Sequence, residues 1–96
     1  MRLRDRLPEL RDEIRRAAAE SGAREVRVFG SVARGEERDD SDVDFLVVLE
    51  PGRSLFDLAR LELRLERILG RAVDVVTEAG LREPIRATAL RDAISV

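Results

Sequence analysis

The chain has 96 residues, 44% hydrophobic and 40% charged, with a formal net charge of −2. That balance describes one folded domain spanning residues 1–96, with no basic footprint for direct nucleic-acid binding. There is no Cys and no His, and all 18 basic residues are Arg, which excludes disulfides, thiol and imidazole catalysis, Cys or His metal sites and Schiff-base lysine chemistry.

Taken in chain order, PELRDEIRRAAAESG reads as a helix. Pro8 suits its first position, Leu10, Ile14, Ala17 and Ala18 fall on one face, and Gly22 is its stop. Arg2, Arg4 and Arg6 read as a solvated end. MRLRDRLPEL lacks the apolar stretch of a signal peptide, and no apolar run nears the ~18–20 residues of a membrane span. The expectation is therefore a cytoplasmic protein without membrane contact.

EVRVFG alternates as a short strand ending at Gly30, and SVARG makes about one helical turn. EERDDS reads as a polar loop, with Glu36, Glu37, Asp39 and Asp40 solvated. DVDFLVVLE is the strongest strand pattern and ends at Pro51 and Gly52. SLFDLARLELRLERILG is a helix with Ser54 as N-cap, Asp57 in capping-box position and an inner stripe of Leu58, Leu61, Leu65, Ile68 and Leu69. AVDVVTE is a third strand, EAGL a turn, and Pro84 opens a last helix, PIRATALRDAI. The expected architecture is a small α/β or α+β fold, with helices flanking a sheet of three strands or slightly more.

One feature of this pattern carries chemistry. Strand side chains alternate with period two, so Asp42 and Asp44 share a face, about 6–7 Å apart along the chain. Phe45, Val47 and Leu49 point the other way, while Val43, Leu46 and Val48 make the rest of the strand read as buried on both faces. Two carboxylates on one face repel, and burial raises their pKa values. A divalent cation relieves both effects, and an oxygen-only donor set suits Mg²⁺ held against substrate phosphates. Asp74 is a lone carboxylate among Val73, Val75 and Val76, costly unless paired or ligated. It can complete the cluster if its strand lies beside DVDFLVV, or bond a neighbouring Arg. Gly30 and Ser31 stand where a strand turns into a short helix, with backbone amides and a hydroxyl to offer a phosphate. Arg34 can reach a phosphate or pair with the acidic loop.

The string GSVARGEERDDSDVDFLVV, with G-S, ten residues, then D-x-D, resembles the signature of the DNA polymerase beta nucleotidyltransferase superfamily. It is similar in particular to the minimal nucleotidyltransferases, commonly the antitoxin half of HEPN–MNT toxin–antitoxin pairs. The leading helix, Asp74 and the terminal REPIRATALRDAISV fit that layout too. The resemblance implies the nucleotidyltransferase fold, with Gly30 and Ser31 on the outer phosphates of ATP. It implies Asp42, Asp44 and Asp74 on Mg²⁺, two ions in all, with Asp74 helping to deprotonate the acceptor. It implies an enzyme that moves AMP from ATP to a hydroxyl, a tyrosine of a HEPN toxin partner. The alternative is an antitoxin that silences a HEPN RNase by binding alone. Phe56 and Leu63 lie off the inner stripe of their helix and read either as a partner surface or as ordinary scattered apolar residues.

Overall fold

The computed structural model describes residues 2–38 and 41–96. Its first element is α1 (Leu3–Glu20), which buries Leu3, Leu7, Ile14, Ala17 and Ala18. The helix begins five residues before the expected start. Burial of Leu3 and Leu7 extends it upstream, and Pro8 sits in its second turn at the cost of one backbone hydrogen bond. Arg2, Arg4 and Arg6 are exposed, as expected.

β1 (Ala23–Phe29) leads directly into α2 (Gly30–Arg34), which ends at Gly35. β2 (Val43–Leu49) follows the acidic loop, and Asp39 and Asp40 of that loop lie outside the described residues. α3 (Leu55–Leu69) and β3 (Val73–Thr77) come next, then a 3₁₀ turn at Glu78–Gly80, α4 (Ile85–Asp92) and β4 (Ile94–Ser95).

The sheet has four strands in the order β3-β2-β1-β4. β1 runs antiparallel to β2 and β4, whereas β2 and β3 are parallel and joined through α3. The sheet is therefore mixed and flanked by helices, as expected. β4 is the addition. Its two residues pair with Arg27 and Val28 of β1, a contact between distant segments that leaves no local pattern in the sequence.

One side of the sheet carries the core. Val28, Val43, Phe45, Val47, Val73 and Val75 pack in one cluster with residues of α1, α2 and α3. The cap of α3 forms as its sequence dictates. The Ser54 side chain accepts from Phe56 N–H, and the Asp57 carboxylate accepts from Ser54 N–H at 2.9 Å. Ser54→Ala should lower stability by about 1 kcal/mol, read in a denaturant titration. The Ser54 backbone N–H, and then Arg53 and Arg60, hold the Asp57 carboxyl below the usual range. A group depressed on folding stabilises above its unfolded pKa and loses that contribution as pH falls through its folded value. Melting curves at decreasing pH should therefore show a loss that Asp57→Asn removes.

The other side of the sheet is only partly covered. Leu46 is buried there, but Val48 is 36% exposed, which corrects the expectation that this end of β2 is buried on both faces. No helix among the described residues is long and apolar enough to cross a membrane.

Candidate active site

β2 starts at the open side of the sheet with Asp44 in register with Asp74 on β3 and with Phe29 on β1. Strands in register present these three side chains to one face, with neighbouring strands about 4.8 Å apart. The Asp44 carboxyl is half-buried. Burial pushes its pKa up, and the charges of Asp74 and then Asp42 push it further, while Arg34 opposes them. Of the six residues named from sequence, five meet around this point and Ser31 is not among them. Asp42, Asp44, Asp74 and Arg34 share one electrostatic field, and Gly30 touches it directly.

Asp74 corrects one premise. It is exposed, because its face of β3 is open, so its presence in the strand needs no buried partner. It also has an acidic neighbour that the sequence reading missed. Glu62 on α3 has its carboxyl raised by burial, by Asp74 and by Glu66.

Gly30 adopts a left-handed backbone, with φ of +74°, at the turn from β1 into α2. A Cβ there would run into Oδ2 of Asp44. The glycine lets the backbone lie against that carboxylate, which is the close approach the sequence suggested. Gly30→Ala should cost at least about 1–2 kcal/mol for the backbone alone and push the Asp44 side chain aside. Thermal melts of the parent and the variant should show a lower Tm for Gly30→Ala.

Ser31 is half-exposed, and its carbonyl accepts from Glu36 N–H at 2.8 Å. Arg34 pairs with Glu36 at 3.0 Å and with Asp92 of α4 at 3.3 Å. Its pairing with the acidic loop is therefore real, and Asp92 is a partner the sequence reading missed.

The loop that delivers Asp42 is held from outside. Arg71, just before β3, pairs with Glu37 at 2.6 Å and donates to the carbonyls of Arg38 and Ser41, each at 2.7 Å. The Glu37 side chain is only 5% exposed, so it is a structural ion-pair member and not the solvated loop residue expected. Arg71 carried no signal in the sequence, because its partners lie some thirty residues upstream.

The donor set fits a hard divalent cation. The carboxylates of Asp42, Asp44 and Asp74 supply oxygen only, and their mutual repulsion at Asp44 is the charge such an ion offsets. Among the described residues, no three acidic side chains converge tightly enough to hold an ion by protein ligands alone. Mg²⁺ does not require that, since it keeps several waters and takes its remaining ligands from substrate phosphates.

Residues 7–96 match the nucleotidyltransferase domain family. The chain belongs to that family. This nucleotidyltransferase is 47% identical over 75 residues to the protein adenylyltransferase MntA of Thermococcus cleftensis, covering 78% of this chain and 76% of the relative. A Methanocaldococcus jannaschii protein assigned as a protein adenylyltransferase is 40% identical over 75 residues, 78% of this chain and 81% of its own. A solved structure assigned as a minimal nucleotidyltransferase superposes with a TM-score of 0.86 at 50% identity, over 100% of this chain and 97% of the other. A toxin–antitoxin complex with AMP-PNP superposes on the nucleotidyltransferase with a TM-score of 0.74 at 17% identity, over 88% of this chain and 69% of the other, a likeness of fold.

Proposed function

We propose that this enzyme transfers AMP from ATP to a hydroxyl of a partner protein, a tyrosine of a HEPN-family toxin, and thereby acts as its antitoxin. The observation that carries the reading is the Asp44–Asp74 register at the open face, with Gly30 against Asp44. The adenylyltransferase relatives support AMP as the group moved, and the toxin–antitoxin fold neighbours support a toxin as the acceptor.

Gly30 and Ser31 hold the outer phosphates. Arg34, released from Glu36 and Asp92, turns its guanidinium to the same oxygens. Asp42 and Asp44, with Asp74, would hold Mg²⁺, which supplies charge neutralisation on the phosphates and their fixed orientation. The acceptor oxygen attacks the α-phosphorus, the bond to the bridging oxygen breaks, and pyrophosphate leaves. Asp74 is exposed beside Asp44 and takes the acceptor's proton. Excess acid repulsion around Asp44 in the free protein also predicts that Mg²⁺ with ATP raises the Tm, since the ligands bind only the folded state.

A second reading, silencing by contact alone, is favoured by one observation. Phe56 and Leu63 on the outer side of α3 are 83% and 59% exposed, an apolar pair outside the core. Silencing of the toxin's RNase by the parent protein and by Asp44→Asn separates the two. The transfer reading expects Asp44→Asn to keep the complex and lose ATP-dependent silencing. Equal silencing by both would support contact alone.

A further inference from the structure

α3 presents an outer face that neither the core nor the reaction site uses. Phe56, Arg60, Leu63 and Arg67 recur at i, i+4, i+7 and i+11, so they form one stripe down the helix. All four are exposed, while Leu61, Leu65 and Leu69 take the inner side. The stripe runs about 16 Å, three helical turns, with apolar and basic side chains alternating along it.

Its charge is of one sign because the three acidic residues of α3 are engaged elsewhere. Asp57 accepts from Ser54 N–H in the cap. Glu62 lies in the field of Asp74, and Glu66 accepts from Val73 N–H at 3.3 Å. Arg60 and Arg67 form no ion pair among the described residues. A groove of about 290 Å³ between α1 and α3 widens the face beside Arg67. It is lined by Glu13 and Arg16 of α1 and by Arg64 and Ile68 of α3, and Arg64 is held by Glu20 at 3.3 Å.

We propose that this stripe docks an acidic amphipathic helix of the partner protein, its apolar side chains on Phe56 and Leu63 and its carboxylates on Arg60 and Arg67. The inference rests on the reading that the chain acts on a partner protein, and it names the part of that partner that is gripped. Apolar groups seven residues apart match the repeat of a packed helix seam. Unpaired guanidinium groups between them select carboxylates, which they hold bidentately, and steer the encounter. A second copy of this chain is a poor occupant, since two such stripes would bring four guanidinium groups into one seam without a carboxylate. α3 packs on the core side of the sheet, whereas Asp44 and Asp74 share the opposite face. Docking on α3 therefore leaves the reaction site open.

The test is calorimetric titration of a HEPN toxin partner into the parent and its variants, without ATP. Arg60→Glu combined with Arg67→Glu should weaken binding about 100-fold, and Leu63→Ser about tenfold. Arg60→Lys combined with Arg67→Lys should stay much closer to the parent, because the charge is kept. The positions are exposed and away from the site, so Mg²⁺–ATP binding should equal the parent's in every variant and shows that each is folded. Parent affinity should fall with added salt, and the doubly reversed variant should lose that dependence. Unchanged toxin affinity in the Glu and Ser variants would overturn the inference. So would hydrogen exchange on the complex that protects no acidic segment of the toxin. Self-association of the parent, or its binding to anionic lipid vesicles, abolished by Leu63→Ser while toxin binding stays intact, would give the face to another occupant and overturn it too. If the parent neither binds nor modifies the toxin, the partner-protein reading itself fails, and this inference with it.

Discussion

Asp44→Asn should lower AMP transfer by roughly 10³-fold or more while raising the Tm of the metal-free protein. The two effects share one cause. The Asp44 carboxyl is pushed up first by its burial, then by Asp74 and Asp42, with only Arg34 opposing. A carboxylate whose folded pKa lies above its unfolded value destabilises the fold at neutral pH. The penalty is relieved as pH falls through the folded value toward the unfolded one. Asn keeps the shape and discards the charge, so the variant should be more stable at neutral pH and less sensitive to mild acid. The same substitution removes a ligand for the cation that neutralises the phosphates, a contribution of several kcal/mol at about 1.4 kcal/mol per tenfold in rate. Melting curves across pH and a transfer assay on one preparation check both halves. A variant that lost transfer and also lost stability would mean that Asp44 serves the fold and not the reaction.

Arg71→Ala should produce the largest loss of stability, about 3 kcal/mol, because it strands Glu37 in a nearly buried position. In a domain of this size that is a fall in Tm of more than about 10 °C. Arg71 also donates to the carbonyls of Arg38 and Ser41, and Asp42 follows directly. Transfer should therefore fall further than the unfolded fraction explains, even where the variant is fully folded. The double variant Glu37→Gln with Arg71→Met removes both charges and should recover much of the stability. It should not recover transfer, since nothing then ties the loop carrying Asp42. Recovery of both would reduce Arg71 to a structural role.

How much of this was legible in the sequence depends on the range of the signal. Period-two alternation put Asp44 at the head of a buried strand, and the isolated Asp74 among valines pointed to its neighbour. Both rest on residues within a few positions of each other, and the register Asp44–Asp74 bears them out. The Ser54–Asp57 cap was equally local. The start of α1 was misread because Pro8 is a strong local cue, whereas burial of Leu3 and Leu7 is decided by the tertiary fold. β4 exists only because β1 offers it an edge. The roles of Glu37, Arg71 and Asp92 arise from pairs thirty to fifty-eight residues apart, which no window of sequence contains. The exposure of Asp74 and Val48 was hidden for a similar reason, since partial cover of the second face is a property of the assembled layers.

The central claim is that this chain places AMP on a partner protein. Its most direct test is the intact mass of a HEPN toxin partner incubated with this protein, Mg²⁺ and ATP. One or more added AMP units, on a peptide that maps to a tyrosine and absent with Asp44→Asn, is the expected result. An unmodified partner that is nonetheless bound and silenced would contradict it.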